Sequence, residues 1–318
     1  MNKPEISIPG AEDEIVRFIL SNPVPEFGDP GRAGIIAQIS SELGIGMVDP
    51  SVRALLWLAD VEALLALRDG CMGSRAAFRL LLGHGGILFR DALTSWACDM
   101  LESWAEFTED PFDLCRERDQ RCVITRDVKK TRTVNVYPHR PAGASNAGSR
   151  ATLWEALGVF WGEPRVAGWR QAVFGCGGAN KLGNTMLLRD DVSQAWASLH
   201  FALRPVELSR DLKSLSVQFF WLPGQQCPSD VPLLSLPAFG PDNTGGWGFR
   251  NPWNSRRLQS GDFLRLLTHD PERCPLPSFE LLEIQWYLHR AAALSGLSIP
   301  PQICLLDELQ RRGGSEST

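Results

Sequence analysis

Between Arg118 and Pro205 the hydrophobic period of the chain changes, and that change limits the fold more than any other feature. Upstream, Ile87 to Phe107 reads as the longest helix, with Leu88, Ala92, Leu93, Trp96, Met100 and Trp104 along one side. Asp110-Pro111 starts a further helix that runs to about Arg118. Beyond it, Arg121–Thr125 and Thr133–Tyr137 are short β-branched runs joined by a polar loop, and they predict a hairpin. A strand-like run begins at Asn184, a helix spans Asp190 to Ala197, and His200–Leu203 and Leu215–Leu222 read as strands. Helices and strands segregated in this way point to an α+β protein.

The flanks are read by the same rules. Glu12 to Leu20 is a short amphipathic segment, broken by the prolines at 23 and 25. Residues 33–45 and 50–68 read as helices, the second introduced by Asp49-Pro50-Ser51 and ended by Gly70. Arg75 to Leu82 is helical, and Gly83-His84-Gly85-Gly86 is a turn of the wrong length and order for a phosphate-binding loop. Pro141 to Ser149 reads as a loop, followed by helices over Thr152–Trp161 and Val166–Val173. Asp262–Leu267 and Ser278–Leu294 read as helices, and Arg311–Thr318 as a disordered tail. The expected organisation is a helical region over 1–110, a core over 111–223, and a mixed α/β extension over 224–310 packed on that core.

Composition removes several classes of function. The net charge of −5 over 318 residues argues against a nucleic-acid binder, because phosphate neutralisation needs a basic face. The densest basic run, Arg126, Lys129, Lys130, Arg132, Arg140 and Arg150, is read as a solvated loop. The eight cysteines are scattered, with no CxxC pair, which argues against a zinc ribbon and a disulfide framework. No apolar run reaches the roughly 20 residues of a membrane span, and the first residues carry no secretory h-region, so the cytosol is expected, with the nucleus the alternative. Eleven tryptophans against two tyrosines supply large apolar surfaces for a core or a pocket. Cys176, in Gly175-Cys176-Gly177-Gly178, fits no protease motif, and Glu280 with Glu283 reads as a solvated helix face.

Arg118-Asp119-Gln120-Arg121-Cys122-Val123-Ile124-Thr125, Val134-Asn135-Val136-Tyr137-Pro138, Asn184 with Leu188, and Phe201-Ala202-Leu203-Arg204-Pro205 stand in a fixed order. So do Trp154, Phe160, Trp161 and Trp169 between them, and Leu215 to Pro223 after them. Over about residues 115–223 this frame resembles the fungal HNH-nuclease-type family. The resemblance implies a ββα-metal core: a hairpin and a helix around one metal ion. In such nucleases a histidine acts as general base on water, an asparagine orients it, and a second histidine helps bind the metal.

Position by position, the frame survives and its chemistry does not. Asn135 stands where the general-base histidine belongs, Asn184 keeps the central asparagine, and Ser193 replaces the metal-binding histidine. An amide takes no proton from water near neutral pH, and a serine hydroxyl is a poor transition-metal ligand. His139 and His200 are the nearest histidines from which the site could be rebuilt. Neutral polar groups among aromatic side chains suit a hydrophobic small molecule. The expectation is a degenerate HNH-like protein acting as a metal- and cofactor-independent cyclase of the Diels–Alder type in fungal terpenoid secondary metabolism. In chemistry, though by no motif, it is similar to norbornene-forming Diels–Alderases of sordarin-type pathways. Asn135, Asn184 and Ser193 would be catalytic, and Tyr137, His139, Trp161, Trp196 and His200 would line the substrate site. A hydrophobic small molecule is the expected partner, with no nucleic acid. The alternatives are an inactive binding protein on the same frame and a metal-dependent DNA endonuclease with a rearranged site.

Overall fold

The computed structural model describes residues 22–102, 110–138, 147–175, 181–224, 226–239, 247–251 and 255–297. Among them are ten α-helices and seven short strands in three antiparallel sheets, an α+β arrangement. The expected segment at 12–20, the tail at 311–318, His139 and Cys176 lie outside the described residues.

Helix α1, Arg32–Leu43, stops at Gly44, whose φ of 62° is the left-handed cap that glycine adopts without strain. Strand β1, Met47–Val48, leads into α2, Pro50–Leu58. Asp49 caps α2 by accepting the Ser51 N–H at 2.8 Å, and proline takes the first position, where its missing donor costs nothing. The single helix expected over 50–68 is in fact two, because Asp60 turns its N–H to the Phe160 carbonyl and restarts the chain as α3, Val61–Gly73. Gly70 lies within α3 and does not end it. Helix α4, Arg75–Arg79, runs into a π-turn at Leu80–His84, and α5, Gly86–Glu102, follows directly. The turn expected at 83–86 is thus mostly helical.

Helix α6, Asp110–Asp119, and strand β2, Thr131–Asn135, flank the segment expected to form the first half of a hairpin. That hairpin does not form. Residues 122–127 make a closed turn, with Cys122 N–H on the Asp127 carbonyl and Arg126 N–H on the Cys122 carbonyl. Arg126 adopts a φ of 63° to close it, and the Thr125 N–H reaches Cys122 Sγ. The partner of β2 is β3, Thr185–Arg189, in an antiparallel pair running from Thr131↔Arg189 to Asn135↔Thr185. Between them lie α7, Ala147–Trp161, and α8, Glu163–Phe174, joined at Gly162 with φ 70°. Helix α7 begins inside the stretch expected to be loop.

Helix α9, Asp190–Ala197, leaves β3 without a break. Strands β4, Phe201–Leu208, and β5, Ser214–Trp221, then pair. Strand β6, Val231–Pro232, closes back on β1. Strand β7, Asp262–Leu267, pairs with β5 and corrects the helix expected there. Six residues with four apolar side chains among them do not distinguish the two periods; Leu264 and Leu266 point inward while Phe263, Arg265 and Leu267 point out, a strict period of two. Last comes α10, Phe279–Leu294, capped by Ser278. From Leu281 to Leu294 every residue of α10 except Glu283 is buried, so the helix runs through the middle of the molecule.

One hydrophobic core includes side chains from Val24 to Leu294 and so draws on all three expected regions. No helix among the described residues is long and apolar enough to cross a membrane.

Candidate functional site

The site is built on β2, β3 and α9. Pleating turns alternate side chains to opposite faces. Val134, Met186 and Leu188 join the main core with Val192, Ala195 and Trp196 of α9. Leu187 instead packs in a small separate cluster with Cys115, Leu182 and Cys274 on the α6 side. Alternation puts Thr133 and Asn135 on this second face. The face is held by one buried ion pair. Arg118 Nε lies 2.6 Å from Asp119 Oδ1, and its other nitrogens bond the carbonyls of Leu182, Thr185 and Pro275. Asp119 Oδ2 accepts the Leu187 N–H at 2.8 Å. Burial and the Asp119 charge push the Cys115 thiol up to about 12, so it stays protonated.

The two asparagines have different environments. The Asn184 carboxamide donates to the Tyr137 carbonyl at 2.8 Å and accepts the Tyr137 N–H at 2.7 Å. Val136 N–H bonds the Asn184 carbonyl, so the end of β2 and the start of β3 are tied three times. Asn135 is 3% exposed, and its Oδ1 is buried with no hydrogen-bond partner among the described residues. Its backbone carbonyl accepts from the Trp196 indole at 3.2 Å. An orphaned buried acceptor costs about 1–3 kcal/mol unless something outside the chain fills it.

Ser193 is fully buried, and its hydroxyl donates to the Asp190 carbonyl one turn back, at 2.7 Å. Its helix packs on the face opposite Asn135, so strand pairing does not bring the two side chains face to face. Trp196, one turn further along α9, packs against His289 with ring centroids 4.5 Å apart and planes tilted by 46°. His289 Nδ1–H donates to the Phe201 carbonyl at 2.8 Å, Nε2 accepts from the Gln285 amide at 3.2 Å, and burial pushes the pKa down to about 4. The ring is therefore neutral at physiological pH, with Trp96 on its other flank at 5.7 Å.

Tyr137 is buried beside Asp99 of α5 and Arg150 of α7, with Trp154 bonded to its hydroxyl. Burial, then the Asp99 charge, raises its pKa, so it remains a phenol. Arg150 Nε is 3.7 Å from Asp99 Oδ2, and its Nε and Nη2 are buried without hydrogen bonds among the described residues. The Arg150 charge acts on the Tyr137 hydroxyl in the opposite sense to that of Asp99.

Asn135, Tyr137, Asn184 and Trp196 are thus brought together, with Ser193 behind them. Trp161 belongs elsewhere: it packs against Tyr287 at 5.0 Å and Trp169 at 6.0 Å. His200 lies at the start of β4, 6.0 Å from Trp247, and burial lowers its pKa. The basic run disperses: Arg132 pairs with Asp190, and Arg150 turns inward to Asp99. Asp99, Arg150, Gln285 and His289 are the residues that sequence reasoning passed over. The four-residue spacing of Gln285 and His289 on a helix was a readable signal; Asp99 and Arg150 carried none, since only the packing of α5 against α7 pairs them. No family model, no curated protein and no solved structure matches this chain.

Proposed function

We propose that the chain is a degenerate HNH-like protein that acts on a hydrophobic small molecule, as a metal-independent cyclase of the Diels–Alder type in fungal terpenoid secondary metabolism. The observation that carries this reading is the Asn135 carboxamide, buried and unpartnered at Oδ1 where the family places its general base. The sequence of β2, β3 and α9 is in keeping with a ββα frame, with α7 and α8 inserted between the strands. Two residues on from Asn135, Tyr137 brings a phenol together with Trp154 and with Arg150, whose Nε and Nη2 make no hydrogen bond among the described residues.

Such a site can fold a flexible polyene into a reactive conformer, which supplies most of the rate advantage of an intramolecular reaction. The Tyr137 hydroxyl and the Arg150 N–H groups can polarise a carbonyl conjugated to the dienophile. In a pericyclic closure σ bonds replace π bonds within the substrate, so no proton, electron or leaving group needs a destination. Asn135 would then orient a substrate hydroxyl or N–H. The binding-protein alternative is favoured by one observation: Asn184 and Ser193 are wholly occupied in holding the frame together.

The test pairs two assays on the full chain. Plasmid DNA with Mg²⁺ or Mn²⁺ should remain intact, and metal-dependent cleavage lost on substitution of Asn135 would overturn the reading. Linear polyene substrates with a conjugated carbonyl should quench tryptophan emission and cyclise faster than in buffer. Quenching without turnover would establish the binding protein instead.

A further inference from the structure

A second cluster lies where α6 meets the loop between β7 and α10, and it is independent of the function proposed above. Glu117 comes from α6, and His269 and Cys274 come from the loop. One ligand atom from each lies within 4.8 Å of the other two. His269 Nε2 is 3.8 Å from Glu117 Oε1. The Cys274 thiol is fully buried and forms the floor, while the imidazole and carboxylate are open to solvent.

The loop holds its two residues in place without help. Thr268 Oγ1 sits 2.6 Å from the Cys274 carbonyl, and the Cys274 N–H bonds the Asp270 carbonyl at 2.8 Å. Asp270 Oδ1 accepts the N–H groups of Glu272 and Arg273, each at 3.0 Å. Arg273 grips the Glu117 carboxylate with both terminal nitrogens, at 2.9 and 3.0 Å. That ion pair accounts for Glu117. It does not account for a thiol placed beneath the pair, nor for an imidazole turned to the same oxygen.

We propose that Glu117, His269 and Cys274 form a binding site for a zinc-type divalent cation, and that Arg273 is its built-in competitor. A sulfur, a nitrogen and an oxygen suit Zn²⁺ and are poor for Mg²⁺ or Ca²⁺, which take oxygen ligands. Three protein ligands leave a fourth position for water. Arg273 is mostly exposed and free to swing out when a cation takes over the Glu117 charge. On binding, the Cys274 Sγ–H bond breaks, its proton goes to solvent, and a metal–sulfur bond forms. The cation would tie α6 to the loop, next to the Arg118–Asp119 pair that holds β3.

The test uses the full chain, stripped of metal and titrated with Co²⁺ and then Zn²⁺. Expected are a single equivalent of Co²⁺, a near-ultraviolet thiolate-to-cobalt band, its loss on Zn²⁺ displacement, and a raised Tm. Cys274→Ser should abolish the band. His269→Gln, at an exposed position, should weaken binding at least about tenfold without unfolding the chain. Arg273→Gln should tighten it. Absence of a thiolate band in the wild-type chain, or a band and affinity unchanged in His269→Gln, would overturn the site. Unchanged or weaker binding in Arg273→Gln would overturn the role of Arg273.

Discussion

The side chain of Asn184 closes a ring on the peptide of Tyr137, accepting from its nitrogen at 2.7 Å and donating to its oxygen at 2.8 Å. This asparagine joins two segments that lie 47 positions apart in the chain. Asn184→Asp keeps the acceptor, loses the donor and buries a charge. It should cost about 2–3 kcal/mol, read as a lower urea midpoint. Protein that remains folded should bind ligand normally; a large loss of binding at unchanged stability would show that Asn184 touches the ligand.

Asn135 should behave in the opposite way. Leucine has nearly the same shape and removes the orphaned oxygen, so Asn135→Leu should leave stability unchanged or raise it by up to about 2 kcal/mol. The same variant should lose substrate turnover and tryptophan quenching. If both survive, Oδ1 faces nothing that matters.

Arg118 and Asp119 are both almost completely inaccessible to solvent, and between them they fix the Leu187 N–H and three carbonyls. Asp119→Ala strands a buried guanidinium and an amide donor together. The expected loss is about 3–5 kcal/mol, measured by denaturant unfolding at neutral pH. A loss below about 1 kcal/mol, the range of exposed pairs, would mean that water reaches the site.

His289 sets a pH dependence. Its pKa is about 4 in the fold against an ordinary 6.5, so the unfolded chain takes up the proton first. Stability is therefore full above about pH 6.5 and declines as pH falls toward 4, by about 3 kcal/mol in all. Glu26, whose carboxyl Arg290 holds below its usual range despite burial, adds its own loss only near and below the ordinary carboxylate pKa. The histidine is thus read between about pH 6.5 and 4.5. His289→Gln should reduce the slope in that window, leaving the smaller part that His200, whose pKa burial also lowers, contributes.

What the sequence disclosed follows the range of the interactions involved. Helix α9 was legible from Asp190 to Ala197 because local spacing and an acidic first turn define it. Helix α10 was legible from the Ser278 cap and the apolar run behind it. The partner of β2 was not, since pairing with β3 is decided by Arg118, Asp119 and Asn184 acting across an intervening pair of helices. Strand β7 read as helix because its four apolar residues among six fit either period until β5 supplies a partner. At the candidate site, Asn135, Tyr137, Asn184 and Trp196 were singled out by a resemblance to an HNH-type frame, and the fold places them near one another. Trp161 and His200 were drawn in by residue type alone, and packing puts them elsewhere. Arg150 and Asp99 meet only through the docking of two helices, which no local pattern encodes.

Helix α10 makes its contacts with elements that all precede it in the chain: α2, α5, α8 and β4 pack around it, and Arg290 reaches back to Glu26 across 264 positions. During synthesis those elements emerge first and must wait with their apolar faces uncovered. The molecule therefore assembles around its last described helix and cannot finish its interior before that helix arrives. Contacts of such long sequence separation slow folding and lengthen exposure to aggregation. In a cell, the yield of active protein should depend on how long chaperones keep the elements ahead of Phe279 from associating with other chains.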